Sequence, residues 1–240
     1  MQKEADQDSA NEGARLVDFL SNVPLFATLE RHELQDLALD LRRRSYRARE
    51  VIFHKDDPGF ALYIIATGSV KVYLPSPEGQ EALLAVLLSG DYFGELALLD
   101  GGPRTATVAT MEASEVLLLE RDGFLKFVRE HPRAVEGTLQ SLGALVRRST
   151  NQLEDALFLD LRARLAKRLL ELADRHGNHT GKGIEIQITV TQGDLAAMVG
   201  ATRVSVNRQL NQLRDAGVVD WAGRRLVICN VQELRRQTGI

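Results

Sequence analysis

Hydrophobic positions along this chain change their period twice. Leu34, Leu37, Ala38 and Leu41 recur at helical spacing after Thr28, whose hydroxyl suits an N-cap, and Glu30 falls in the first turn. The pattern predicts a short helix closed by Arg42-Arg43-Arg44, since cations suit a helix C-terminus. From Glu50 to about Leu119 the period drops to two. Runs rich in Val, Ile, Leu and Tyr (Val51 to Phe53, Leu62 to Ile65, Val70 to Leu74, Leu83 to Leu88, Thr105 to Ala109, Val116 to Leu119) alternate with turn chemistry. The turns fall at Asp56-Asp57-Pro58-Gly59, Thr67-Gly68-Ser69, Pro77-Glu78-Gly79 and Gly90-Asp91. Short strands so punctuated predict a small antiparallel barrel or roll. Phe124 to Glu130 then reads as a short helix ended by His131-Pro132.

Helical period returns in the longest pattern of the chain. Val135, Leu139, Leu142, Val146, Ser149, Leu153 and Ala156 follow one another by 4, 3, 4, 3, 4 and 3 residues, an a/d heptad seam. A seam that narrow predicts a parallel homodimer through this helix. The same stripe also suits a single long helix lying on its own roll. Ser149, with Thr150 beside it, is a polar member that can fix register.

Asp160 is a good N-cap for a helix from Leu161 to Arg175, with Leu165, Leu169 and Leu172 as its core stripe. His176 and His179 have no third or fourth metal ligand nearby, so that segment reads as a loop before a strand from Ile184 to Val190. Thr191-Gln192-Gly193-Asp194 is a capping signal for a first short helix, and Gly200 makes a turn. Thr202 caps a second helix from Arg203 to about Ala216, ended by Gly217. Two short helices joined through glycine, the second carrying Arg203, Asn207, Arg208 and Gln209, predict a helix-turn-helix. Val218 to Ile228 reads as a hairpin wing whose tip residue Arg224 suits a phosphate. A helix-turn-helix also serves protein contact, and charge argues for DNA here. Residues 161–240 hold 13 Lys and Arg against 7 Asp and Glu, leaving 17 against 26 in residues 1–160.

Composition changes the picture less. At 240 residues the chain has room for one large or two modest domains. No apolar run approaches the roughly 20 residues that span a bilayer, and the polar N-terminus lacks the regions of a signal peptide, so a cytoplasmic protein without a membrane partner is expected. Residues 1–14 are polar, acidic and aperiodic, which predicts a disordered acidic arm extending over 1–20. Cys229 is the single cysteine, too few for an iron–sulfur cluster or a Cys-rich zinc site, and no metal site is expected.

One stretch carries candidate chemistry. Gly94 lets backbone approach a ligand, Glu95 and Leu96 begin a helical turn whose N–H groups face an anion, and Arg104 and Thr105 add a planar cation and a hydroxyl. Taken locally, a turn and a solvated ion pair fit as well. The stretch nevertheless resembles the phosphate-binding cassette of cyclic-nucleotide-binding domains at Gly94, Glu95, Leu96, Arg104, Thr105 and Ala106. That resemblance implies that Glu95 holds a ribose hydroxyl while Arg104, Thr105 and backbone amides hold a cyclic phosphate.

The C-terminal half is similar to the DNA-binding domain of the cyclic-AMP receptor, or catabolite activator (CRP/FNR), family, and the likeness covers roughly residues 21–230. It implies base reading by Arg203 and Arg208, with Val204 where the family usually carries Glu, and phosphate contacts from Gln192, Thr202 and Ser205. It also implies that Ser149 and Thr150 receive the adenine amino group, one hydroxyl from each subunit. The expected fold is α+β: a cyclic-nucleotide-binding β-roll (21–133), a long dimerisation helix (134–159) and a winged helix-turn-helix (160–240). The expected function is a homodimeric transcription regulator gated by cyclic AMP bound between roll and dimer helix. Its partners would be a pseudo-palindromic operator in double-stranded DNA and RNA polymerase. Cyclic GMP, cyclic di-GMP or action without ligand stay open, as does a nucleotide-regulated enzyme subunit, although no catalytic constellation supports the last. A haem sensor is disfavoured, because the cassette lacks His and Cys.

Overall fold

The computed structural model describes residues 2–77 and 79–239. The chain forms two compact units, Met1–Pro75 with Leu84–Arg147, and Ser76–Leu83 with Arg148–Ile240. The first opens with α1 (Gln2–Leu20), a 3-10 turn (Pro24–Phe26) and α2 (Arg31–Leu39). Strands follow as β1 (Leu41–Tyr46), β2 (Val51–Phe53), β3 (Ala61–Thr67), β4 (Ser69–Pro75), β5 (Glu81–Leu88) and β6 (Tyr92–Phe93). The short helix α3 (Glu95–Asp100) is set among them, before β7 (Thr107–Thr110), β8 (Ser114–Glu120) and α4 (Arg121–Glu130). The long helix α5 (Pro132–Phe158) runs through the boundary between the units.

The strands make two sheets, ordered β1-β8-β3-β6 and β2-β7-β4-β5. Period-two alternation along β3 shows why. Leu62 and Ile64 face a helix-covered core with Leu34, Leu37, Phe124 and Phe127, while Tyr63 and Ile65 face the other core with Val70, Val108 and Val116. Both faces of the strand are buried, so its run of apolar residues is continuous.

Three expectations are corrected here. Residues 2–20 are not an unstructured arm: α1 occupies them, because Val17 and Leu20, one helical turn apart, are buried beside Leu25 and Phe26. Thr28 is not the cap of α2. Glu30 is, in a reciprocal box in which the Glu30 N–H donates to the Glu33 carboxylate at 2.7 Å, while the Thr28 hydroxyl donates to the Arg133 carbonyl at 3.2 Å. Arg42-Arg43-Arg44 does not close the helix but lies on β1, where antiparallel pairing with β8 brings Arg42 to Glu120 at 2.9 Å and Arg43 to Glu115.

On one face α5 is close-packed. Ala134, Gly137 and Thr138 are buried, and a methyl added at Gly137 would stand 2.4 Å from the Leu25 carbonyl oxygen. Tyr92 on β6 and Ser141 on α5 share a hydrogen bond between their hydroxyls.

The second unit continues with α6 (Leu161–His176), β9 (Gly177–Thr180), β10 (Gly183–Ile186), α7 (Gln192–Val199), α8 (Arg203–Asp215), β11 (Val219–Ala222), β12 (Arg225–Ile228) and α9 (Val231–Arg236). Its sheet is ordered β11-β12-β10-β9. Gly177–Thr180, read as a loop, is an edge strand paired with β10; its four residues are all exposed and none is a large apolar one, so it carries no hydrophobic signal. Asp160 caps α6 as expected, accepting from the Ala163 N–H at 2.8 Å. Leu165, Leu169 and Leu172 enter a core with Leu195, Val206, Leu210 and Ile228.

Candidate functional site

The cassette residues are assembled by backbone constraints at two glycines. Gly94 has φ 84° and stands at the N-cap of α3; Gly101 has φ 74° and ends it. A side chain at Gly94 is excluded twice over. Its φ is left-handed, and a Cβ there would lie 2.5 Å from Arg104 Nη1 and 3.2 Å from the Ala61 carbonyl oxygen. Glu95 and Leu96 form the first turn of α3, both half-buried, while Ala97 and Leu98 enter the core. The chain then returns so that the Arg104 N–H donates to the Asp57 carbonyl at 2.8 Å and the Arg104 carbonyl accepts from Asp56 at 2.8 Å.

Arg104 is the centre of this arrangement, and only 4% of it is exposed. Nη1 donates to the Gly94 carbonyl at 3.0 Å and Nη2 to the Ala61 carbonyl at 2.9 Å. The guanidinium lies over the Phe53 ring at 4.2 Å and near the Tyr63 ring at 5.5 Å. Nε has no hydrogen-bond partner. Burial pulls the guanidinium pKa below its ordinary value, against the opposing influence of Tyr63, Glu95 and Asp57. A buried cation with an unused donor, beside a helical turn that presents N–H groups, can receive an anion. Thr105 is exposed next to it and Ala106 is buried.

Sequence reading found Gly94, Glu95, Leu96, Arg104 and Thr105, and the structure joins them in one loop–turn–loop. It missed Phe53, Tyr63 and Gly59, which complete the surroundings of Arg104. A Cβ at Gly59 would stand 3.1 Å from Arg104 Nε and 2.2 Å from Ala97 Cβ. The signal available for these was strand alternation, which turns Phe53 and Tyr63 to the same interior. Ser149 and Thr150 lie on α5 in the second unit, both exposed.

Along α5, Val135, Leu139, Val146 and Leu153 are 41% to 64% exposed, Ala156 is exposed and Leu142 is half-buried. Leu157 and Phe158 extend this apolar surface to the end of the helix.

In the second unit α7 and α8 are joined through Gly200, which is left-handed at φ 63°. The Thr191 and Asp194 side chains form a capping box, and the Thr202 hydroxyl accepts from the Ser205 N–H at 3.2 Å. Val206, Leu210 and Leu213 anchor α8 in the core. Arg203, Val204 and Arg208 stand exposed. The Asn207 amide donates to the Gln192 side-chain carbonyl oxygen at 2.7 Å, and its own oxygen accepts from Asn211 at 2.8 Å. Gln192 is thereby tied to the recognition helix. Arg224, exposed, sits with Gly223 in the two-residue turn between β11 and β12, while Arg225 pairs with Glu185 at 2.9 Å. Among the described residues no group of His, Cys, Asp and Glu could hold a metal.

A roll with a glycine-bounded turn around a buried arginine in one unit, and a winged helix with exposed arginines on its second helix in the other, define a transcription regulator that carries a nucleotide-binding domain. Residues 43–131 match the family described as cyclic nucleotide-binding domain, and residues 163–237 the Crp-like helix-turn-helix domain. The chain is 31% identical over 220 residues to the CRP-like cAMP-activated global transcriptional regulator of Mycobacterium tuberculosis, covering 92% of this chain and 98% of that one. It is 35% identical over 197 residues to the cyclic AMP receptor protein of Thermus thermophilus, covering 82% and 88%. Among solved structures, a CRP-family transcriptional regulator of Thermus thermophilus superposes with TM-score 0.69 at 29% identity, covering 82% and 97%. FixK2 of Bradyrhizobium japonicum shares the fold, with TM-score 0.74 at 24% identity and coverage of 82% and 96%. The chain belongs to the CRP/FNR family of transcription regulators.

Proposed function

We propose that this regulator works as a homodimer that binds cyclic AMP in the roll and, so loaded, binds a pseudo-palindromic operator. The observation that carries the ligand is Arg104, a buried cation whose Nε lacks a partner, set against the Gly94 turn. In this reading Arg104, Thr105 and the α3 amides hold the cyclic phosphate, Glu95 and Leu96 line the ribose, and Ser149 and Thr150 receive the adenine. The choice of cyclic AMP is supported by relatives named as cAMP-activated regulators. The stripe Val135, Leu139, Leu142, Val146, Leu153 and Ala156, exposed except for the half-buried Leu142, supports the dimer, since a two-stranded coiled coil covers such a seam.

Two copies so joined would present their recognition helices to successive major grooves about 34–36 Å apart. Arg203, Val204 and Arg208 would face bases, and Gln192, Thr202, Ser205 and Arg224 would position the unit on phosphates. Asn207 would hold α7 against α8 and stand with these residues on the DNA-binding side. RNA polymerase is the proposed protein partner and the cytoplasm the proposed location; among the described residues no helix is long and apolar enough to cross a membrane. Ligand gating needs a difference in affinity between the two states of about 1–3 kcal/mol.

Calorimetric titration of the purified protein with cyclic AMP, cyclic GMP and cyclic di-GMP tests this directly. Cyclic AMP is expected to bind with the highest affinity and Arg104→Ala to abolish its binding. No heat with cyclic AMP, or binding indifferent to Arg104→Ala, removes the ligand assignment.

A further inference from the structure

The recognition helix carries one large apolar side chain that its own fold does not use. Val204 is 80% exposed, and among the described residues of 160–239 it is the one large apolar side chain that stands exposed. It is the second residue of α8, in the turn that enters a groove first. Its direction follows from the helix itself. Val206, Leu210 and Leu213 mark the inward face. Counting about 100° per residue, Val204 and Arg208 lie nearest the opposite, outward direction, four residues apart and so on one stripe. Arg203, the exposed first residue of α8, lies by the same count about 100° from Val204 and toward the inward side, and Asn207 is occupied by Gln192 and Asn211. The outermost groups of the first turns are therefore an isopropyl and a guanidinium.

We infer that Val204 reads the C5-methyl group of a pyrimidine, so that each operator half-site carries thymine, or equally 5-methylcytosine, opposite this residue. The inference rests on the proposed DNA-binding function and specifies the chemistry of its base contact. Valine offers no donor or acceptor, so of the groups displayed in the major groove only the C5-methyl gives it a favourable partner. Arg208 on the same stripe supplies the hydrogen-bonded half of the reading, its fork matching guanine O6 and N7. Val204 would exclude water between the methyl and the helix, a contact of hydrophobic rather than polar character.

The experiment begins with selection of bound duplexes from a randomised pool, using the full-length protein with cyclic AMP. Fluorescence anisotropy then compares pairs that differ by one methyl at the pyrimidine facing Val204: thymine against uracil, and 5-methylcytosine against cytosine. Removing the methyl is expected to weaken binding about fourfold at one half-site and about fifteenfold at both, from the transfer value of one buried carbon group. Val204→Ala should shrink that ratio toward one, with guanine preference retained. Val204→Glu should turn the preference to unmethylated cytosine, whose amino group a carboxylate accepts. A consensus with guanines but equal affinity for thymine and uracil at every position overturns this inference alone. A pool that yields no consensus overturns the DNA reading and the inference with it.

Discussion

Replacing Arg104 with methionine separates the cost of holding this cation from its use. The wild-type side chain makes two charge-assisted hydrogen bonds, to Gly94 and Ala61, worth about 1.5–3 kcal/mol each. Stacking on Phe53 adds about 0.5–2 kcal/mol. Against these stands the desolvation of a cation with no ion-paired carboxylate among the described residues, a penalty of several kcal/mol. The terms oppose each other at similar size. Arg104→Met, which keeps the volume and removes the charge, should shift the stability of the ligand-free protein by no more than about 2 kcal/mol, or under about 8 °C in Tm. Ligand response should change completely. If cyclic AMP is the ligand, a hundredfold its Kd should stabilise the wild type by about 2.7 kcal/mol, roughly 5–10 °C, and the variant by nothing. Differential scanning fluorimetry with and without cyclic AMP reads both. A ligand-free variant that melts more than about 15 °C lower makes Arg104 a structural keystone. A variant that keeps the ligand shift takes Arg104 out of the ligand site.

Gly137→Ala and Gly143→Ala on α5 should have opposite signs. Alanine gains about 1 kcal/mol in a helix interior, which Gly143 is free to show because its nearest contact is the Arg147 side-chain tip at 3.4 Å; at Gly137 the new methyl meets the Leu25 backbone oxygen at 2.4 Å, and a loss of about 1–3 kcal/mol is expected in chemical denaturation. Burial pushes the Glu33 carboxyl up, yet the Glu30 N–H and the His131 ring more than offset it and hold its pKa below the ordinary value. Such a group contributes stability that is fully present above the unfolded value of about 4.3 and lost as pH falls through the folded one, so Glu33→Gln should flatten the drop in Tm measured below about pH 5. Leu142→Asp with Leu153→Asp should convert a dimer to a monomer in sedimentation velocity, and an unchanged sedimentation coefficient would refute the seam.

What the sequence disclosed was what local chemistry decides. The strand runs of β3, β4 and β5, the Thr191–Asp194 capping signal and the Gly200 turn are written in neighbouring residues, and the fold follows them. What it concealed was pairing across distance. Three consecutive arginines suit a helix C-terminus as well as a strand, and only Glu115 and Glu120, more than seventy residues away, decide for β1. The four residues of β9 have no apolar pattern because an edge strand takes its order from the backbone of β10. The candidate site divides in the same way. Its glycines and charges were legible as a motif, whereas the aromatic bed of Arg104 comes from β2 and β3, and the engagement of Asn207 from a residue of the preceding helix.

Three features of the folded chain gain nothing from the fold itself. Arg104 Nε is buried without a partner, the α5 stripe from Val135 to Leu153 leaves apolar side chains in water, and Val204 does the same on the recognition helix. Each is unfavourable or neutral alone, by desolvation in the first case and apolar exposure in the others. Each has a different chemical complement: an anion, a second copy of the same stripe, and a methyl group in a major groove. A core substitution that merely stabilised the monomer would leave all three unmet, whereas the proposed ligand, partner copy and operator would meet one each. That is the thermodynamic form of a switch, in which binding steps rather than folding remove the remaining costs, and it predicts that the three variants Arg104→Met, Leu142→Asp with Leu153→Asp, and Val204→Ala will impair function without a common loss of stability.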